Sequence, residues 1–167
     1  MALGALTTGA CAADEPPEPD RLTACEVLPP ETVARVIGGP LDEPASAEAA
    51  TDLLAGRSGC AWSRTDDERA VLVELVRTAD MAASVRRTGF SASARFDAVR
   101  TEFPDADVVE LGDRTIYVEE EATLHVLVAG SYVTVEVAAR PPSAIRELAE
   151  DLGREAVARL REAGKAD

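Results

Sequence analysis

The sequence predicts an α+β fold, in which a single antiparallel β-sheet of about six short strands has helices packed on one face. Two observations support this prediction. Short segments that alternate apolar and polar residues follow one another in the second half of the chain, separated by turn residues, as in strands joined by hairpins. Segments with apolar residues three and four positions apart lie before and after them, which is typical of amphipathic helices. Runs of hairpin strands with helices at the ends favour one antiparallel sheet.

The first half of the chain contains two predicted helices and two predicted strands. Pro30 and Glu31 favour a helix start, and Gly38 ends that helix. A second short helix is predicted from Ser46 to Leu54. The two strands are residues 60–64 and 70–77, which are joined by the polar turn 65–68, and a short helix follows at 80–88. Period-two alternation places one set of side chains on a common face of the second strand: Val71, Val73 and Leu75.

The second half contains one helix, four strands and a final helix. Residues 91–103 predict the first helix, which Pro104 ends. Gly112 and Asp113 predict a tight turn between the first two strands. The four strands are residues 107–111, 114–119, 123–128 and 132–138. The inward-facing candidates on these strands are Ile116, Val118, Leu124, Val126, Val128, Val133, Val135 and Val137. The final helix, 143–162, has Ile145, Leu148, Leu152, Ala156 and Leu160 on one face.

The charge of the chain excludes some partners. Acidic residues outnumber basic residues 31 to 17, and the net charge is −14. Such a field repels nucleic acids and anionic lipid headgroups, so we expect no nucleic-acid binding and no electrostatic membrane binding. The acidic excess fits solubility better than an acidic binding role.

The N-terminal region resembles the start of an exported lipoprotein. Residues 8–11 read Thr-Gly-Ala-Cys, which is similar to a bacterial lipobox, although Thr8 stands where Leu is favoured. Residues 1–10 are therefore predicted to be a signal-peptide remnant, with lipidation at Cys11. Residues 11–21 form a predicted flexible, acidic, proline-rich linker, and 22–165 a single domain. The alternative is a disordered cytosolic N-terminus with an incidental cysteine.

The two remaining cysteines, Cys25 and Cys60, are a candidate disulfide pair if the protein is exported. Two buried free thiols are the alternative. A zinc site is not expected, because the chain has no Cys-x-x-Cys spacing and a single histidine.

A family resemblance rests on three short motifs. Residues 25–31 read Cys-Glu-Val-Leu-Pro-Pro-Glu, Gly38-Gly39 follows, and residues 59–62 read Gly-Cys-Ala-Trp. Over the first half of the domain this pattern resembles the actinobacterial lipoprotein family called domain of unknown function 3558, with Val27 in place of the commoner Leu. The resemblance implies a cell-envelope lipoprotein with a disulfide between Cys25 and Cys60, and it carries over no catalytic residue. It also implies similarity to extracytoplasmic sensor domains of some bacterial Ser/Thr kinases, which are regarded as ligand-binding domains.

Enzymatic chemistry has little support in the sequence. His125 is the only histidine, and it is out of phase with Leu124 and Val126, so it is predicted to point away from the core. The chain has no Gly-x-Ser-x-Gly, Walker or His-Glu-x-x-His motif. Its acidic clusters follow no EF-hand spacing. We therefore expect no catalytic residue, cofactor or metal, and a hydrolase that uses His125 is a remote alternative.

The sheet face opposite the helices is the candidate binding face. By alternation it carries Leu72, Tyr117, His125, Leu127 and Thr134. A mixed apolar and polar face of this kind can bind a small-molecule ligand or an envelope protein, although the segments around Ser46 and Asp80 could equally cover it. The predicted function is a membrane-tethered, non-enzymatic binding or sensor-like domain in the cell envelope. The alternative is a structural accessory lipoprotein of an envelope complex, without a small-molecule site.

Overall fold

The computed structural model describes residues 22–43, 45–46, 52–64, 69–139 and 141–164. The predicted signal-peptide remnant, Cys11 and the linker lie outside the described residues. Within the described ranges, no helix is both long and apolar enough to cross a membrane.

The described strands form one antiparallel sheet of seven strands in the order β1-β2-β3-β7-β6-β5-β4. The strands are β1 (Ala45–Ser46), β2 (Arg57–Ser63), β3 (Ala70–Arg77), β4 (Asp107–Val108), β5 (Arg114–Val118), β6 (Thr123–Val128) and β7 (Ser131–Ala138). Two meanders, β1 to β3 and β4 to β7, join where β3 pairs with β7. The predicted α+β fold with a single antiparallel sheet is therefore confirmed. All six predicted strands are present, and β1 adds a two-residue strand at one edge.

The helices lie on both faces of this sheet, so the prediction that they pack on one face only is wrong. They are α1 (Ala24–Val27), α2 (Pro30–Ile37), α3 (Ala83–Arg86), α4 (Ala92–Glu102) and α5 (Ile145–Ala163). α1, α2 and α5 bury the larger core with Leu124, Val126 and the three inward valines of β7. α4 packs on the opposite face, where Phe96 and Val99 meet Tyr132 and Leu127. Every residue of β6 is consequently buried.

Several local predictions are confirmed and others are wrong. The helix predicted at 91–103 is present as α4, and the Ser91 side chain caps it by accepting a hydrogen bond from the Ala94 amide at 3.0 Å. Of the helix predicted from Ser46 to Leu54, Ser46 lies in β1 and 53–56 form a turn, whereas residues 47–51 lie outside the described residues. The connection between β4 and β5 runs from Val109 to Asp113, so Gly112 and Asp113 alone do not form it.

The phase of β5 is also opposite to the prediction. Ile116 and Val118 face α4, whereas Tyr117 faces the larger core. The reason is that Thr115, Ile116, Tyr117 and Val118 are all buried, because helices cover both sides of the strand. Apolar alternation reveals the inner face of a strand only where the other face meets water.

A disulfide joins α1 to β2. Cys25 and Cys60 are bonded, and their Cα atoms are 5.2 Å apart. Cys60 is fully buried in the larger core and Cys25 is half-buried at its edge. The bond thus fixes a helix of only four residues to the sheet.

Gly153 allows α5 to lie close to the sheet, and its replacement is expected to be destabilising. A Cβ at this position would overlap the buried Leu124 side chain and lie 3.0 Å from Leu111 Cδ2. We expect Gly153→Ala to lower the free energy of unfolding by about 1–2 kcal/mol, because overpacking outweighs the gain in helix propensity. Chemical denaturation measures this change. Ala158→Gly, at an exposed position of the same helix, is the control for the propensity term; a stabilised Gly153→Ala variant would contradict the packing argument.

Candidate functional site

The structure separates the five residues of the predicted binding face. Leu72, His125 and Thr134 line a cleft between α4 and the sheet. Leu127 is buried beneath α4. Tyr117 lies on the opposite face because of the reversed phase of β5, and the Arg146 guanidinium lies 5.1 Å from its ring centroid. α4 covers most of this face. Met81 belongs to the same buried cluster, so the segment around Asp80 also covers part of the face, which was the alternative considered for that segment.

His125 departs from its predicted position at the surface. It is only 4% exposed, although it does point away from the larger core. The prediction assumed that a residue out of phase with the core meets solvent. That assumption fails here because α4 covers this part of the sheet.

The cleft has a volume of about 240 Å³. One wall is α4, which contributes Ala98 and Val99 as apolar groups, together with Phe103 just beyond its end. The opposite wall is the sheet, where β6 and β7 place His125 beside Thr134 in register. The charged groups that line the cleft are Glu74, Arg95, Glu102, Glu121 and Glu136. It is therefore a small, mixed cleft with four carboxylates and one guanidinium.

His125 and Tyr132 form a buried pair at the base of this arrangement. His125 Nδ1 and the Tyr132 hydroxyl oxygen are 2.7 Å apart. The two rings are stacked with centroids 6.1 Å apart, and Phe96 of α4 meets Tyr132 edge to face at 6.3 Å. The two residues are diagonal neighbours across β6 and β7, because His125 pairs with Thr134 and Leu127 with Tyr132.

The other ring nitrogen of His125 lacks a partner. Two buried side-chain polar atoms of the described residues have no hydrogen bond, His125 Nε2 and Trp62 Nε1, and the latter lies in the larger core. The nearest charged atom to His125 Nε2 in an ion-pair geometry is Glu121 Oε2, at 3.8 Å. This distance is too long for a hydrogen bond. Burying a polar group without a hydrogen bond costs free energy. A ligand group or water that bonds to His125 Nε2 would remove this cost.

Burial sets the protonation state of both residues. Burial, together with the smaller effect of the positive charge of Arg95, lowers the pKa of His125 to about 4. Burial likewise raises the pKa of the Tyr132 hydroxyl above its ordinary value. Both side chains are therefore neutral near pH 7. Within the described cleft lining no serine or cysteine stands beside His125, and an imidazole of such low pKa is a weak general base.

Two larger clefts lack such a group, whereas a third, of about 290 Å³, is lined by Trp62, whose Nε1 has no hydrogen-bond partner. One, of about 730 Å³, lies beside the turn between β4 and β5, and its arginines are engaged by the chain itself. Arg114 bonds Asp97 at 2.6 Å and Arg100 bonds the Ala106 carbonyl at 3.1 Å. The other, of about 530 Å³, is lined by Glu102, Asp105, Asp107, Glu119 and Glu120. Among the described side chains, however, no group of three potential metal ligands is found.

Comparisons with known proteins identify no relative: no family model, no curated protein and no solved structure matches the chain. The assignment of the site therefore depends on its geometry.

The buried state of His125 predicts a loss of stability in mild acid. The unfolded chain binds the histidine proton near pH 6.5, whereas the folded chain binds it only near pH 4. Between these values acid stabilises the unfolded state, so stability is complete above about pH 6.5 and falls below it. We expect the free energy of unfolding to decrease by about 2 kcal/mol from pH 7 to pH 5 through this group.

Denaturant titrations at the two pH values test this expectation. His125→Gln removes the titrating group and keeps an acceptor for the Tyr132 hydroxyl, so its stability should lack this decrease. Because His125 is the only histidine, no other histidine contributes in this range. Equal pH dependence in the variant and the wild type would contradict the buried, neutral state.

Proposed function

We propose that the protein is a non-enzymatic binding domain that acts outside the cytoplasm, tethered to the membrane through a lipid on Cys11, and that a small ligand binds in the cleft between α4 and the sheet. The observation that carries the binding proposal is His125 Nε2. This atom is buried, has no hydrogen-bond partner, and lies at a cleft lined by charged side chains. Buried polar groups are rarely left unpaired unless a water or a ligand completes them.

The disulfide supports the extracytoplasmic location. Bonds such as Cys25–Cys60 persist in oxidising compartments and are rare in the cytosol. The lipobox-like residues 8–11 and the resemblance to the lipoprotein family called domain of unknown function 3558 support the same location. A tether of this kind would present the cleft to solutes or components of the cell envelope.

Intact-mass measurement of the protein from its native host, alkylated without reductant, tests the location. The proposal expects a chain that begins at Cys11, carries diacylglycerol and has no alkylated thiol. A chain that still begins at Met1 and carries three alkylated cysteines would place the protein in a reducing compartment and overturn the proposal.

A titration followed by two-dimensional amide NMR tests the cleft. Compounds that bind there should shift the signals of Thr134 and Ala98, which line it, before those of Glu110 and Arg161 in the larger cleft. His125→Phe removes the unpartnered nitrogen and should abolish these shifts. Shifts that persist unchanged in this variant would remove the main support for the cleft.

A further inference from the structure

Building on the proposed function, we infer that the ligand of the cleft presents a hydroxyl group, as a saccharide or another neutral polyol does, and that this hydroxyl accepts a hydrogen bond from His125 Nε2 while it donates one to Glu121. The inference follows from the direction of one hydrogen bond, from one interatomic distance, and from the charges around the cleft.

The first step fixes the proton on the histidine ring. Among the described residues, the Tyr132 hydroxyl has a single hydrogen-bond partner, His125 Nδ1. Since a buried hydroxyl must donate its proton to some acceptor, Tyr132 donates and Nδ1 accepts. A neutral imidazole has one proton, which then lies on Nε2. The neutral state agrees with the lowered pKa of His125.

The second step concerns the gap in front of that proton. His125 Nε2 is a donor, Glu121 Oε2 is an acceptor, and they are 3.8 Å apart. One oxygen atom about 2.8 Å from each atom completes both hydrogen bonds, and because Nε2 has almost no accessible surface, the half-exposed Glu121 side chain turns outward to admit it. It must accept from the nitrogen and donate to the carboxylate, which a hydroxyl group or water can do. An ammonium group cannot accept the first bond, and a carboxylate cannot donate the second.

The third step uses the surroundings of the pair. Glu74, Glu102 and Glu136 also line the cleft, against the single cation of Arg95. This excess of negative charge disfavours an anionic ligand. Carboxylates accept hydrogen bonds from hydroxyl groups, and Arg95 and Thr134 supply donors, so the lining matches a ligand with several hydroxyl groups. Phe103 adds an aromatic surface for the apolar side of such a ligand.

The size of the cleft limits the ligand. A volume of about 240 Å³ corresponds to about eight water molecules in the liquid. This is smaller than clefts that enclose drug-sized ligands, and it suits one sugar ring or a compact polyol.

The test compares three classes of probe on the full-length, oxidised protein near pH 7. Glucose, mannose, galactose, arabinose and myo-inositol represent neutral polyols, methylammonium represents cations and acetate represents anions. Each is titrated at millimolar concentrations while the amide signals and the side-chain nitrogen signals of His125 are recorded. We expect at least one polyol to shift His125 Nε2 and the Thr134 amide saturably, and methylammonium and acetate to shift neither.

Two neighbouring glutamates provide a matched pair of variants. Glu121→Ala removes the acceptor and should weaken polyol binding about tenfold. Glu120→Ala makes the same change of charge at the next residue, which lines the acidic cleft instead, and should leave binding unchanged. Both residues are exposed in a short turn, so both variants should fold, which their amide spectra check directly.

The remaining outcomes separate this inference from the proposed function. Saturable binding of methylammonium or acetate at the cleft, without any polyol, would overturn the hydroxyl ligand and leave a binding cleft in place. Polyol binding that Glu121→Ala does not weaken would overturn the bridging geometry. If no probe shifts the cleft residues, water alone completes His125, and both this inference and the assignment of the cleft are overturned.

Discussion

Replacement of both Cys25 and Cys60 by alanine is expected to lower the free energy of unfolding by about 4 kcal/mol. The disulfide closes a loop with a sequence separation of 35 residues, and its loss returns the corresponding chain entropy to the unfolded state. Domains of this size are stable by about 5–15 kcal/mol, so the expected loss is a large fraction of the total. Denaturant titration followed by the fluorescence of the buried Trp62 measures it.

The chain offers a matched control for this experiment. Cys11→Ala replaces the third cysteine, which lies outside the described residues, and should leave the unfolding midpoint unchanged. The wild-type protein in reductant should approach the stability of the double variant. Coincident unfolding curves of the oxidised protein and the double variant would show that the bond does not constrain the unfolded chain as expected.

The loss of stability that follows removal of the disulfide should also differ along the chain. α1 has four residues, too few for a helix that is stable alone, and its attachment depends on the disulfide and on packing against the sheet. Its capping box, in which the Glu26 carboxylate accepts from the Thr23 amide at 2.7 Å, is local and remains after reduction. Because the disulfide holds α1 on the sheet, we expect amide exchange in the double variant to increase first in residues 24–28.

Much of the fold can be predicted from the sequence where local chemistry and burial agree. Alternation places Val71, Val73 and Leu75 on one face of β3, and the structure has all three in the larger core. The helix predicted at 91–103, with Pro104 ending it, is present as α4. Such signals are contained within a few residues, so a single sequence is enough to read them.

The position of α4 on the second face of the sheet could not be predicted, because it depends on the path that the chain takes after β3. The apolar stripe of α4, with Phe96 and Val99, is visible in the sequence, but it does not say which face the helix covers. The segment from Thr78 to Ser91 carries the chain from β3 to the face opposite α5. Because α4 packs on this face, His125 is buried. β5 is then buried on both faces, so its sequence does not alternate in a way that shows which residues face the larger core.

One part of the site was within reach of the sequence and was missed. The turn at Ala129 and Gly130 pairs Val128 with Ser131, which fixes the register of β6 and β7. Counting from that turn places Tyr132 on the same face as His125, as their neighbour across the strands. The position of Glu121 beside His125 depends on the turn that precedes β6, and no sequence pattern indicates it.

Phe96→Ala is expected to detach α4 from the sheet, at a cost of about 3–5 kcal/mol. Phe96 is 2% exposed, contacts the Tyr132 ring and lies 4.8 Å beneath the Arg114 guanidinium. The cluster under α4 is separate from the larger core, which lies on the other face of the sheet. Loss of its central aromatic side chain should therefore open one layer and leave the other folded.

Native-state hydrogen exchange distinguishes this local opening from general destabilisation. Amides of α4 should lose protection by about a hundredfold or more, while those of the β7 residues whose side chains lie in the larger core keep most of theirs. Leu160→Ala, a cavity of similar kind in α5, should instead lower protection across the whole sheet, because Leu160 lies in the larger core. Equal loss of protection in α4 and in the sheet of the Phe96 variant would show that the two layers unfold as one unit.

The same variant connects the fold to the proposed site. Thr134 and the other sheet residues of the cleft do not depend on Phe96 for their backbone positions, but the opposite wall of the cleft is α4 itself. If a ligand binds between the two walls, Phe96→Ala should weaken binding, because only the minor population with α4 docked binds it, while the disulfide and the larger core stay intact. Because binding then favours the docked helix, saturating ligand should in turn restore part of the lost protection in α4, which the same exchange experiment measures.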